Sequence, residues 1–230
     1  MKISRIALIL IALVLMSGCA GIVPPQKTTI PTVEVMEEKS VPEIEGYIAL
    51  TFDDGPHEEI TPQILDLLET HDVKATFFVV GWRVTGNEEI LKRMVRGGNE
   101  VGNHSWSHPD ILKLPRWKVE KELLDCQEAI ISCIGYGARL FRPPYGSYDR
   151  SARSKGIMNM SFALWTLDTL DWKDRDANIV VERVMRGTID RSIILLHDIH
   201  LTTLEAARIF IPKLKERGFV FVTMSELSEL

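Results

Sequence analysis

The chain has 230 residues, 45% of them hydrophobic, enough for one sizeable core or two small ones. Lys and Arg number 27 against 32 Asp and Glu, so the net charge is −5, and no long basic cluster appears anywhere. That balance argues against a nucleic-acid footprint.

Lys2 and Arg5 form a short basic segment ahead of the apolar run Ile6–Met16, which ends in Ser17-Gly18-Cys19. This predicts a secretory signal over residues 1–19. Its end is similar to a bacterial lipobox, with Met16 where Leu is more usual. Cys19 would then carry lipid and hold the chain at the outer face of the cytoplasmic membrane. An ordinary cleaved signal, with a secreted product, or an uncleaved anchor is the alternative; the run is short for a transmembrane helix. Residues 20–45 contain Pro24, Pro25, Pro31 and Pro42 among Thr, Glu and Lys and no aromatic residue. They read as a tether with a mean span of roughly 25–30 Å when flexible.

Residues 46–230 alternate short apolar runs with amphipathic segments. Strands are expected at Ile48–Phe52, Ala75–Val80, Glu100–Asn103, Arg139–Arg142, Ser161–Thr166, Ser192–Leu196 and Phe219–Val222. Thr61-Pro62 predicts a capped helix start, and Asn87 predicts another, closed by Gly97-Gly98. The longest helical pattern is Trp117–Ile134. Others follow Asp149 and Asp174, and one runs from about Thr203 to Arg217, where Pro212 is expected to kink or split it. Cys126 and Cys133 lie about 10 Å apart along a helix, beyond disulfide reach, and read as buried thiols. Seven strands alternating with helices predict a parallel α/β fold, a barrel by preference.

Polar clusters fall where strands end: Asp53-Asp54 within "TFDDGP", "NHSWSH" from Asn103, "RPPYG" from Arg142, "DTLDW" from Asp168, and His197-Asp198. Each has a bland reading alone. Asp-Asp-Gly-Pro suits a turn, His104 and His108 suit a surface or a cap, and Asp171-Trp172 suits a helix cap beside a core aromatic. In a parallel α/β fold, however, all strand C-termini open on one face, so the five clusters should converge there. Two histidines and a carboxylate make a three-ligand metal site with a position open for water. A second carboxylate can accept a proton, an arginine can hold that base ionised, and a further histidine can protonate a leaving group.

The ordered set "TFDDGP", "HSWSH", "RPPYG", "DTLDW" and "LLHD" resembles the five motifs of the polysaccharide deacetylases, carbohydrate esterase family 4. "ATFFVVG" and the closing "GFVFVTMSEL" are also similar, so the resemblance spans about residues 47–230. It implies a distorted (β/α)7 barrel in a single domain, with the active site at the C-terminal ends of the strands. It implies Asp53 as general base, Asp54, His104 and His108 as ligands of a divalent metal, commonly zinc but in some members cobalt or another ion, and Arg142 paired with Asp53. It further implies an oxyanion contact from the Tyr145 backbone N–H, His197 as general acid tuned by Asp171, and a pocket for the acetyl methyl at Trp172 and Leu195. Asp198 receives no catalytic role.

The implied reaction is hydrolysis of an N-acetyl group from a hexosamine-containing polysaccharide. "DTLDWKDR" is most similar to the version in bacterial peptidoglycan deacetylases, and a signal with a tether suits the cell wall. Peptidoglycan N-acetylglucosamine is therefore the favoured substrate, ahead of N-acetylmuramic acid, chitin oligomers and acetylated xylan. Two other classes compete. A non-haem iron oxygenase uses the same ligand types but needs neither Asp53 nor His197. A non-catalytic, lipid-anchored glycan-binding protein would be expected to lose a ligand or the base, and none is lost here.

Overall fold

The computed structural model describes residues 43–148 and 157–230. The expected signal, Cys19, the tether up to residue 42 and the start of the helix expected after Asp149 lie outside the described residues. Among the described residues, no helix is long and apolar enough to cross a membrane.

The first three strands are β1 (Gly46–Asp53), β2 (Ala75–Val79) and β3 (Glu100–Asn103). Both faces of β1 and β2 are buried, as near-continuous apolar runs require in a parallel sheet covered by helices. The remaining strands are β4 (Leu140–Phe141), β5 (Ser161–Phe162), β6 (Leu167–Asp168), β7 (Ile193–His197) and β8 (Phe219–Phe221). They form one sheet in the order β5-β4-β3-β2-β1-β7-β6, and β8 pairs with the N-terminal end of β1. Every pairing between these strands is parallel, and one isolated antiparallel bridge joins Ile157 and Met160.

The (β/α)7 barrel expected from the sequence stands, with the segment expected as one strand over residues 161–166 divided into two short strands, β5 and β6. The Ala163 N–H still bonds to Phe141 O on the β4 side, whereas the Thr166 N–H bonds to Ile193 O on the β7 side. The chain thus crosses from one edge of the curled sheet to the other within a few residues. Covalent chain, not a ladder, closes the barrel there.

Eight α-helices are described: α1 (Ile60–His71), α2 (Gly81–Val84), α3 (Glu88–Arg96), α4 (Arg116–Ile134), α5 (Asp171–Asp174), α6 (Ala177–Gly187), α7 (Leu201–Glu216) and α8 (Met224–Glu229). Helix α3 follows Asn87 and stops at Gly97, as expected. The cap expected at Thr61 is different. Glu59 occupies the N-cap position of α1 without a side-chain bond, and the Thr61 hydroxyl instead donates to Asp198 Oδ2 at 2.6 Å. Helix α7 is not split: it runs through Pro212 as one element. Its apolar face, including Leu204, Ala207, Phe210, Ile211 and Leu214, is buried on both sides of the proline, and that packing outweighs the lost backbone bond. Cys126 is buried and its thiol is pushed up to about 12 by burial. Cys133 is only half-buried, packed at the margin of the core near the C-terminal end of α4. Both cysteines are free.

Candidate active site

Strand order brings the polar clusters together. Asp53 ends β1 and sits directly opposite His197, which ends β7. Asn103 ends β3, with His104 next in the chain, and Arg142 follows β4 and bonds through its N–H to Asn103 O at 3.0 Å. Backbone in the loops beyond is held in the left-handed region at Asp54 (φ 74°), Ser105 (φ 67°), His108 (φ 58°), Tyr145 (φ 59°) and Leu170 (φ 53°). Each such non-glycine residue costs about 1 kcal/mol or more, and five at one end of a barrel mark a place where side-chain direction matters more than backbone comfort.

One side of the site is built on Asp53, Asp54, His104 and His108. Asp54 Oδ1 lies 3.4 Å from His104 Nε2 and 3.2 Å from His108 Nε2. That oxygen is buried and has no hydrogen-bond partner among the described residues. His104 Nδ1 lies 2.7 Å from Arg142 O. A carbonyl can only accept, so the hydrogen is on Nδ1 and the Nε2 lone pair faces Asp54 and His108. Burial, followed by repulsion from His104, pulls the His108 pKa down, which favours its neutral, ligating form. Burial works against the Asp54 charge, but the close approach of His104, followed by His197 and His108, outweighs it and holds the carboxyl well below the usual range. A buried acceptor without a donor, facing two imidazole lone pairs within 4.8 Å of one another, is a donor set suited to a divalent cation.

Asp53 is tied differently. Its Oδ1 accepts from Arg142 Nη1 at 2.7 Å, and its Oδ2 stands 3.7 Å from His104 Nε2. Arg142 is fully buried. It also donates to Thr51 Oγ1 (2.7 Å), Ala163 O and Leu164 O (both 3.2 Å), and lies 4.1 Å from the Phe78 ring centroid. Ala163 and Leu164 belong to the segment that crosses the open seam, so the guanidinium supplies donors where the ladder is missing. Burial lowers the Arg142 pKa, while the Asp53 charge and hydrogen bond oppose that shift.

The other side is His197. Its Nδ1 is 2.8 Å from Asp171 Oδ1, leaving Nε2 towards the pocket. Asp171 is fully buried yet satisfied: Oδ2 accepts from the His197 N–H (2.8 Å) and the Thr203 hydroxyl (2.6 Å), and Oδ1 also accepts from the Trp172 N–H (2.9 Å). Burial pulls the His197 pKa down, but the bond to Asp171 and its charge prevail and raise it to about 9.

These groups line a pocket of about 410 Å³. Pro143, Tyr145, Trp165, Trp172 and Leu195 form its less polar wall. Trp172 is half exposed at the rim, and Leu195 is buried. The Tyr145 ring packs edge-on to His108 with centroids 4.8 Å apart, and its backbone N–H finds no acceptor among the described residues. All the side chains expected at the site therefore converge. Thr51, Thr203 and Trp165 were not foreseen. Thr51 stood inside "TFDDGP", but Thr203 lies 32 residues from the carboxylate it serves and carries no local signal. Asp198 is buried beneath the site: its N–H donates to Asp53 O at 3.3 Å, a Cβ on Gly55 would collide with its carboxyl, and burial raises its pKa to about 7.

The polysaccharide deacetylase family model matches residues 40–157, half of the chain. The chain belongs to the polysaccharide deacetylase family. It is 44% identical over 205 residues to the peptidoglycan-N-acetylmuramic acid deacetylase PdaC of Bacillus subtilis, covering 89% of this chain and 44% of that protein. It is 43% identical over 180 residues to the peptidoglycan-N-acetylglucosamine deacetylase PgdA of Listeria monocytogenes, covering 78% of this chain and 38% of that protein. The chain thus spans less than half the length of either relative. The solved structure of PdaC superposes with a TM-score of 0.77 at 47% identity, covering 80% of this chain and 91% of that one. A family 4 acetyl xylan esterase from Clostridium thermocellum, solved in complex with a cobalt ion, superposes at 0.74 and 38% identity, covering 80% and 90%. The fold is a mostly parallel, curled barrel sheet shared with these deacetylases.

Proposed function

We propose that this chain is a metal-dependent N-deacetylase of peptidoglycan, acting on N-acetylglucosamine. The observation that carries this is the pairing across adjacent strands of a spare, arginine-held carboxylate, Asp53, with a carboxylate-backed histidine, His197, either side of an Asp-His-His donor set. Asp54, His104 and His108 would hold one divalent cation, zinc by preference, with cobalt also suited to the donors. When bound, the cation supplies Lewis-acid polarisation of the acetyl carbonyl and acidifies a water.

The chain's own groups do the rest. Asp53, aimed by Arg142, takes a proton from the attacking water. The Tyr145 N–H meets the oxygen that gains charge as the water adds to the acetyl carbon. The C–N bond then breaks. His197, protonated at neutral pH because of Asp171, gives its proton to the departing amine. The products are acetate and a free hexosamine amine. Leu195 and Trp172 offer the acetyl methyl an apolar wall. Lipidation at Cys19 would keep the domain outside the cytoplasmic membrane and beside the wall.

A second reading has its own support: the relative PdaC carries N-acetylmuramic acid in its name at similar identity, so muramic acid is the alternative unit of the same glycan. Mass spectrometry of metal-loaded protein with peptidoglycan fragments, chitin oligomers and acetylated xylan decides between them. Loss of acetyl from glucosamine units is expected. Loss from muramic units alone selects the second reading, and no loss from any glycan sinks both.

A further inference from the structure

A second pocket, of about 270 Å³, opens beside the loop that carries Asp54. Pro56, His57, Glu58, Trp82, Arg83 and Asn87 line it. It belongs to the catalytic face by construction. The Val80 N–H bonds to Gly55 O at 2.9 Å, directly after Asp54. The Gly81 N–H bonds to Ser105 O at 2.9 Å, directly after His104, and the Trp82 N–H bonds to Trp106 O at 3.2 Å. Helix α2 is therefore clamped to both loops that present the candidate metal ligands.

The side chains here are underused. Trp82 is 50% exposed, a large indole left half in water on a folded domain. Arg83 lies 4.7 Å from its ring centroid, over one face of the indole. Arg83 forms no ion pair among the described residues. His57 Nδ1 accepts the N–H groups of Glu59 (3.2 Å) and Ile60 (3.3 Å), so its hydrogen sits on Nε2, which no described residue accepts. Glu58 makes no hydrogen bond among the described residues. An indole half open to solvent, with the Arg83 guanidinium over one face and an unpaired carboxylate and an imidazole N–H beside it, matches a pyranose, which has a C–H face and a rim of hydroxyls. Glu58 and Arg83 offset each other in charge, which suits a neutral sugar better than an anionic polymer.

We propose that the pocket at Trp82 is a second sugar-binding subsite, taking another hexosamine of the strand whose acetyl group is removed at the catalytic pocket. This rests on the deacetylase reading above. A glycan strand is a repeating polymer, so two pockets on one face can hold one strand at two units. Binding there would favour long strands over short ones.

The test compares a peptide-free glycan disaccharide with a hexasaccharide, using full-length, metal-loaded protein. Stacking on an aromatic ring is worth enough that Trp82→Ala should lower kcat/KM for the hexasaccharide about tenfold, mainly through KM. The disaccharide should change by less than about twofold, since it leaves the second subsite empty. Trp82→Phe, which keeps a ring, should retain most of the long-strand preference. Equal losses on both lengths, or no loss on either, would overturn the subsite. If the wild-type protein deacetylates neither glycan, the deacetylase reading fails, and calorimetric titration with the hexasaccharide still decides the subsite. Weaker binding by Trp82→Ala supports it, while unchanged binding, or none by the wild type, overturns it.

Discussion

The two sides of the pocket are built to different degrees of completeness. Around His197 every acceptor on Asp171 is occupied, by an imidazole N–H, two backbone N–H groups and a hydroxyl. Around Asp54 a buried oxygen has no donor among the described residues and faces two imidazole nitrogens instead. Buried polar groups are almost always paired, so the first side is finished by protein and the second is finished only by something from outside. The His197 side should behave as a fixed proton donor, and the Asp54 side as a site whose competence depends on a cation.

The largest effect should come from breaking the open side. Chelation should bring acetate release to background, and zinc or cobalt should restore it. Asp54→Asn should lower bound metal, measured by elemental analysis, together with rate. Asp53→Asn should keep the metal and lose about 10²–10⁴ in kcat, the usual worth of a general base. Equal metal loss in both variants would merge the roles that the geometry separates.

Arg142→Met comes next. It leaves Asp53 buried without its partner and removes donors from the seam crossed by Ala163 and Leu164. Chemical denaturation should show a loss of about 3–5 kcal/mol, the range for stranding one member of a buried pair. A variant as stable as the parent would mean that the seam closes without the guanidinium.

On the closed side, Asp171→Asn should move a pH profile. His197 must be protonated to act as an acid, so activity should fall as pH rises through about 9. Removing the neighbouring carboxylate removes what favours the imidazolium, and the alkaline limb should move to lower pH. Stability follows the same sign. A raised histidine pKa contributes stability that is fully present below the ordinary value of 6.5 and lost as pH climbs through about 9. An unmoved limb in Asp171→Asn would separate His197 from the proton transfer.

The smallest effect belongs to Thr203→Val, which deletes one of four donors to Asp171 and keeps the shape. Thermal or denaturant melts should register a loss of about 1 kcal/mol. The alkaline limb should stay close to its parent position, because the His197–Asp171 bond survives. A shift as large as that of Asp171→Asn would show that the hydroxyl, not the imidazole contact, aims the carboxylate.

Much of this was legible in the linear sequence. Strand β3 was expected at Glu100–Asn103, where it stands, and Asp53, His104, Arg142 and His197 were each expected at a strand end. The reason is local: a buried parallel strand is a short apolar run, and the polar residue that ends it must face the open rim. What was misread depended on distant partners. The proline in α7 was expected to interrupt the helix, but its apolar face is buried along its whole length. Residues 161–166 read as one strand because alternation cannot report that two different edges await its two ends.

From the sequence alone came the family, the chemical types of the donors and the face on which they meet, since these follow from residue identity and the direction of parallel strands. Tertiary structure alone decided which acceptor stays unpaired, which threonine from a later helix completes Asp171, and that Arg142 fills a gap in the barrel as well as pairing with Asp53. Those facts are relations between segments far apart in the chain. No local pattern encodes them, because hydrogen bonds and burial are set by distances that exist only once the sheet has curled.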